Sequence, residues 1–345
     1  MAVRFPTQEN TISSTRSTTS VANYKNKLLN YKEISYRRKK MLPKSIKPGD
    51  TIGVIAPANI ILEKDEEYIQ KSTRLFEDLG YKVKFGKYVR ANTLGYGATS
   101  KQKAEDINNM FADSEVKAII CVKGGEDSNT TFDYINYDTI KNNPKIICGF
   151  SDITSITNCI YSKIGLITFN GPTFKSLTSW ETDYAFKELI KRFQDKSLEL
   201  GVEEDKYETI QEGIAEGELI GGNLSLTTQL VSGKYALDFK DKILFIEELG
   251  YESDSNLVNN HLYYMKQNGV FDKIKGMWVG NYEHESGIAL EKILLDVLDG
   301  EYNFPIIKSN NFGHCDKKTV IPIGTRARID TTKDKKIILL EECVV

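Results

Sequence analysis

Between Thr51 and Gly171 the chain alternates between short apolar runs and amphipathic segments, and this alternation limits the folds open to it more than any other feature. The apolar runs are "TIGVIAPA", "YKVKF", "VKAIICV", "KIICGF" and "LITFNG". Between them lie "DEEYIQKSTRLFEDLG", "KQKAEDINNMFAD", "NTTFDYI" and "SITNCIYSKIG", which read as helices or helix starts. In the first of these, Tyr68, Leu75, Phe76 and Leu79 fall at near-helical spacing, acids occupy the first turn, and Gly80 stands where a helix stop belongs. Strands separated by helices of about 10 to 15 residues make βαβ units and a mostly parallel sheet. The expected class is α/β, with an N-terminal, mostly parallel sheet flanked by helices.

A second apolar series follows the charged helix "DYAFKELIKRFQ" and the polar stretch "SLELGVEEDKYETIQEG". It contains "GELIGGNLSLTTQLV", "KILFIEELG", the helix "NLVNNHLYYMKQNG", "IKGMWVGNY", the helix "IALEKILLDVL", and short strands in "TVIPIGTRARID" and "KKIILLEE". This predicts a smaller C-terminal α/β domain over 201–345, after an N-terminal domain over 41–200. Residues 1–40 are rich in Ser, Thr and cations and lack an apolar signal core, so they read as a disordered basic extension before a start near Met41. A targeting or polyanion-binding arm is the alternative for them.

Charge narrows the partners. Residues 1–40 hold nine Lys/Arg and two Glu, so 37 basic and 46 acidic residues remain in 41–345, a net charge of -9. A body that acidic is a poor match for a nucleic-acid polymer or an anionic membrane. No window approaches the roughly 18 apolar residues of a spanning helix. The five cysteines form no CxxC pair, and Cys121 and Cys148 fall in apolar runs, where a thiol acts as a small hydrophobe. A cytoplasmic location is expected.

The stretch "AIICVKGGEDSNTTFDYI", residues 118–135, carries the first candidate chemistry. In an open parallel sheet, ligands bind beyond the carboxyl ends of the strands. Gly124 and Gly125 permit a sharp turn with unusual φ/ψ, and the turn lifts Ser128 to the start of the next helix, in the manner of a nucleophile elbow. A plain βα loop with Ser128 as helix N-cap is the competing reading. A phosphate cradle fits poorly, because Glu126 and Asp127 repel phosphate and no lysine follows in register. Cys121 lies too deep in its apolar run to be the nucleophile.

A serine nucleophile requires a base, and the base an orienting group. Of the three histidines, His261 sits in a helix as a packed residue, while His284 in "NYEHESG" and His314 in "NNFGHCDKK" both stand in loops that can present an imidazole. Spacing does not choose between them. For the orienting carboxylate, "KILFIEELG" ends a strand in Glu247 and Glu248, and strand alternation lets only one of the two point into a given site. An ordinary polar strand ending is the bland alternative.

In order, "IGVIAPAN", "VKGGEDSN", "GFSDIT", "FNGP", "GELIGGNLSL", "ILFIEELG" and "NFGHCDKKTVIPIGTRARID" resemble the LD-carboxypeptidase and microcin-immunity family of serine peptidases over residues 41 to 345. The resemblance implies a catalytic triad of Ser128, Glu247 and His314, with the serine on the N-terminal domain and the other two on the C-terminal domain. It also implies a homodimer and an acyl-enzyme mechanism that needs neither cofactor nor metal. Gly125, Asn129, Ser151 and Asp152 are the oxyanion or substrate-binding candidates.

The implied substrate depends on the branch. One branch releases the terminal D-alanine of murein tetrapeptides in peptidoglycan recycling, and the other cleaves peptidyl or aminoacyl nucleotide antibiotics and so confers resistance. Asn129 after the serine fits the microcin-immunity spelling, whereas Asp127 departs from the asparagine found before the serine there. Trp180 is a candidate for stacking on a base, with packing as its alternative. A non-catalytic peptide or nucleotide binder is the remaining function class.

Overall fold

The computed structural model describes residues 40–179, 182–201, 206–251 and 253–345. The expectations for residues 1–39 and for Trp180 lie outside the described residues.

Five apolar runs form the expected strands β1 (Thr51–Ile55), β2 (Lys82–Phe85), β3 (Val116–Cys121), β4 (Ile146–Gly149) and β5 (Thr168–Asn170). All five are parallel to one another. β3 and β4 read as continuous apolar runs because helices cover both faces of the sheet. On one face lie helices Glu66–Asp78 and Tyr184–Gln194, packed through Ile69, Phe76, Leu189 and Phe193; on the other lie Ser100–Ala112 and Ile153–Ile164.

The strand order is β2-β1-β3-β4-β5, closed at the β5 edge by β11 (Ile321–Ile323). The chain runs outward from β1 to β2 and then crosses to β3 on the other side, so the order reverses between β1 and β3. A crevice forms at the carboxyl ends of such a pair. The segment after β3 is the one that carries Ser128.

The remaining strands form a second sheet in the order β13-β12-β7-β8-β9-β10-β6. They are β6 (Glu208–Gln211), β7 (Ile214–Asn223), β8 (Lys242–Glu247), β9 (Gly276–Val279), β10 (Ile306–Lys308), β12 (Arg326–Asp330) and β13 (Ile337–Leu339). Strands β7 to β10 are parallel, and the outer pairs are antiparallel. An apolar core joins one face of the first sheet, through Ile119, Cys121 and Ile147, by way of Ile156 on its covering helix, to one face of the second, through Leu244, Ile246 and Met277.

The C-terminal part is not confined to the second sheet. β11 pairs antiparallel with β5, and the last residue exchanges backbone hydrogen bonds with Pro43 and Ser45, at 3.0 and 2.9 Å. Among the described residues, no helix is long and apolar enough to cross a membrane.

Candidate active site

The two glycines after β3 are required for space, not for an unusual backbone angle. Neither has a φ in the left-handed region. A Cβ on Gly125 would lie 2.9 Å from the backbone N of Asn59, and one on Gly124 would lie 2.8 Å from Ser151 Oγ. The loop is thus pressed between the segments that follow β1 and β4. The residue with a left-handed φ is Ser151, at 60°, a strained conformation of the kind that clusters at functional sites.

Ser128 opens a single 3-10 turn, Ser128–Thr131, where a longer helix through "NTTFDYI" was expected. The cause is local: Thr131 Oγ1 donates to the Ser128 carbonyl and Thr130 Oγ1 to that of Asp127, both at 2.7 Å, so side-chain hydroxyls occupy carbonyls that a helix would use. Helical structure resumes at Tyr137–Asn142. The N-cap reading of Ser128 does not hold, because Asp127 occupies that position and Ser128 Oγ donates to the carbonyl of Asp152 at 2.8 Å.

Asp152 holds the serine twice. Its Oδ2 also accepts from the Ser128 N–H at 2.9 Å. Asp152 precedes helix Ile153–Ile164, yet its carboxylate does not cap that helix. Asp152 and Ser128 are both 0% exposed, and Asp152 Oδ1 has no partner. Burial lifts the Asp152 pKa to about 6, against the hydrogen bonds from Ser128.

On the second sheet, Glu247 ends β8 and His314 stands in the loop between β10 and β11. His314 Nδ1 lies 2.7 Å from Glu247 Oε2, and the His314 N–H donates to the same oxygen at 3.1 Å. Glu247 is fully buried. The loop is tied from behind by Asn281, whose Nδ2 donates to the His314 carbonyl at 2.8 Å.

Gly313 has φ 92°, and a Cβ there would lie 2.5 Å from Glu247 Oε2. Gly313→Ala is therefore expected to cost about 1–3 kcal/mol of stability through its backbone alone. By displacing the pair it should also lower turnover by about 100-fold. Thermal melts and kcat check this; unchanged kcat would show that the loop tolerates the displacement.

Glu248 points the other way, as strand alternation requires. It accepts from Asn223 Nδ2 at 2.8 Å, Ser225 N–H at 2.9 Å and Leu249 N–H at 2.8 Å, and from the Ser225 hydroxyl. It anchors the start of helix Leu224–Thr228. Sequence reasoning did not single out Asn281, while Phe150 falls in the stretch Gly149 to Asp152 that follows a strand end. The Phe150 ring packs edge-on against His314, with centroids 5.0 Å apart. Two residues on, Asp152 grips Ser128, so Phe150–Asp152 bridges the imidazole to the serine.

His314 and Ser128 are not joined by a hydrogen bond, since the hydroxyl is committed to Asp152. His284 is on an exposed loop with Nδ1 2.8 Å from Ser286 Oγ, and His261 is half-buried, its pKa lowered by burial. Among the described residues, His314 alone of the three pairs with a carboxylate. Burial pushes the Cys121 thiol far up, as it does Cys148, which removes either as a nucleophile at neutral pH. Among the described residues, the N–H groups of Gly125 and Asn129 are taken by no carbonyl or side chain. No group of three or more His, Cys, Asp or Glu that could hold a metal ion occurs among the described residues.

A buried carboxylate gripping an imidazole, near a serine turn at the carboxyl end of a central strand, is the equipment of a serine-type hydrolase. The comparisons define the family. The LD-carboxypeptidase N-terminal domain matches residues 52–171, and the LD-carboxypeptidase C-terminal domain matches 216–329. The "Probable murein peptide carboxypeptidase" of Bacillus subtilis (strain 168) is 31% identical over 308 residues, covering 86% of this chain and 93% of that protein.

The "Microcin C7 self-immunity protein MccF" of Escherichia coli is 27% identical over 335 residues, covering 85% of this chain and 94% of that one. A solved structure of MccF in complex with glutamyl sulfamoyl guanosine superposes with a TM-score of 0.81 at 25% identity, over 88% of this chain and 99% of that one. The chain belongs to the LD-carboxypeptidase family and is a serine-type carboxypeptidase hydrolase.

Proposed function

We propose that Ser128, His314 and Glu247 form a catalytic triad that hydrolyses an amide bond in a small peptide, with a murein tetrapeptide losing its terminal D-alanine as the leading substrate. The observation that carries this reading is the buried Glu247–His314 bond of 2.7 Å. A carboxylate on Nδ1 fixes the tautomer in which Nε2 is free to take a proton.

In the proposed reaction the Ser128 hydroxyl leaves the Asp152 carbonyl and gives its proton to His314 Nε2 as Oγ attacks the amide carbonyl. The N–H groups of Gly125 and Asn129 receive the oxyanion, while the Ser128 N–H stays on Asp152. His314 then protonates the leaving amine, and water resolves the acyl-enzyme.

The pH dependence follows from His314. Burial opposes its charged form, but the charge and hydrogen bond of Glu247, with Glu248 beyond, outweigh burial and the opposing charge of Lys318. Its pKa is raised above the ordinary 6.5. The base acts only when neutral, so kcat/KM should fall with decreasing pH along a limb centred above 6.5. A pH–rate profile checks this, and a limb below 6.5 would contradict it.

A second reading has its own support: the MccF relative is solved with glutamyl sulfamoyl guanosine bound, and Asn129 follows the serine here. In that reading the substrate is an aminoacyl or peptidyl nucleotide. Incubation of the protein with murein tetrapeptide and with an aminoacyl-sulfamoyl adenosine, followed by mass spectrometry, separates the two by which product forms. A homodimer is proposed on the family resemblance, and light scattering tests it. Five free cysteines, four of them buried, fit a reducing compartment such as the cytoplasm.

A further inference from the structure

Lys103 occupies a place where a lysine is out of character. On helix Ser100–Ala112 it lies four residues before Ile107 and seven before Met110, on the packed face, and it is 2% exposed. An ammonium is buried only at high cost unless a counter-charge meets it. Here the counter-charge is Asp127, whose two carboxylate oxygens lie 2.6 and 2.8 Å from Lys103 Nζ. Asp127 is the residue immediately before Ser128.

Both ends of this pair are themselves fixed. The helix entry is set by a reciprocal cap, in which the Gln102 N–H donates to Thr99 Oγ1 and the Thr99 N–H donates to Gln102 Oε1. On the other side, the Asp127 carbonyl accepts from the Thr130 N–H at 3.1 Å and from Thr130 Oγ1 at 2.7 Å. Holding the Asp127 side chain therefore holds the whole 3-10 turn. Asp152 fixes Ser128 from the side of β4, and Lys103 fixes it from the side of the helix.

We propose that Lys103 is a positioning residue: its buried ammonium grips the Asp127 carboxylate and so sets the backbone from which Ser128 is presented. This rests on Ser128 being the nucleophile. The two partners are unequal. The Asp127 side chain is 30% exposed and can be solvated if Lys103 is lost, whereas the Lys103 side chain, 1% exposed, has no such recourse. Asp127→Asn should thus harm folding more than Lys103→Met, and adding Lys103→Met to Asp127→Asn should restore stability by removing the stranded charge.

The test uses the full chain as wild type, Lys103→Met, Lys103→Arg, Asp127→Asn, the Lys103→Met/Asp127→Asn double variant and Ser128→Ala. The readouts are the rate of labelling by a fluorophosphonate, kcat and KM on murein tetrapeptide and on an aminoacyl-sulfamoyl adenosine, and the folded fraction by circular dichroism. A displaced nucleophile should leave KM of Lys103→Met within about twofold while labelling and kcat fall by about 10- to 100-fold. Lys103→Arg, whose fork suits a carboxylate, should recover to within about threefold of wild type.

Full kcat in folded Lys103→Met, with Ser128→Ala inactive, would overturn the positioning role and leave the nucleophile standing. A rise in KM alone in Asp127→Asn would also overturn it, because Asp127 would then be reading substrate. Activity retained in Ser128→Ala would instead bring down the nucleophile assignment. If Lys103→Met does not fold, the double variant, which buries no charge, decides the matter by the same comparison of kcat.

Discussion

Replacing Ser128 with alanine is expected to reduce hydrolysis by on the order of a million-fold, the loss that accompanies removal of a nucleophile of this kind. The fold should survive. Ser128 is fully buried, so the methyl side chain fits, and the N–H bond to Asp152 Oδ2 is kept. What is lost is the Oγ donation to the Asp152 carbonyl, which keeps the Ser155 N–H at 3.1 Å, so the cost is that of one hydrogen bond, about 0.5–1.5 kcal/mol. Circular dichroism alongside product analysis separates the two effects. Turnover near the wild-type rate in a folded variant would mean that another group attacks the substrate.

Glu247→Gln is the second large effect, expected at about 10⁴-fold in kcat. The amide is nearly isosteric, so the loop around Gly313 keeps its shape. The chemistry changes in either orientation of the amide. Its oxygen can keep both the His314 N–H and Nδ1–H but carries no charge to stabilise the imidazolium, whereas its NH₂ there opposes the His314 N–H and drives the proton to Nε2, which can then no longer accept from Ser128. The charge that raises the His314 pKa is also removed. The acidic limb of any residual activity should therefore move to lower pH, an opposite displacement from the loss in rate. A variant with unchanged kcat and an unmoved limb would show that the 2.7 Å bond is structural only.

What the sequence revealed, and what it hid, follows from the range of each interaction. Strands β1 to β5 were legible because their apolar runs and the intervening amphipathic helices are local patterns. β11 was not assignable to the first sheet: the three residues Ile321–Ile323 pair with β5 about 150 residues earlier, and no local pattern reports such a partner. Gly124 and Gly125 were noticed for the wrong reason, since their crowding by Asn59 and Ser151 exists only once three strand ends converge.

Glu247 and Glu248 were narrowed to one by strand alternation, but only family resemblance chose His314 over His284. Ser151 and Asp152 were legible as residues beyond a strand end, while the grip of Asp152 on Ser128 was not. Nothing in the segment "KQKAEDINNMFAD" marks Lys103 as buried, because its partner lies 24 residues away and burial is invisible in composition.

The central claim is that Ser128 is the attacking atom of a site based on His314 and Glu247. Its most direct test is to label wild-type protein with a fluorophosphonate and map the modified peptide by mass spectrometry, with Ser128→Ala and His314→Ala in parallel. The predicted result is a single adduct on Ser128 in the wild type, none in Ser128→Ala, and strongly slowed labelling in His314→Ala. An adduct on another residue, or equal labelling of Ser128→Ala, would contradict it.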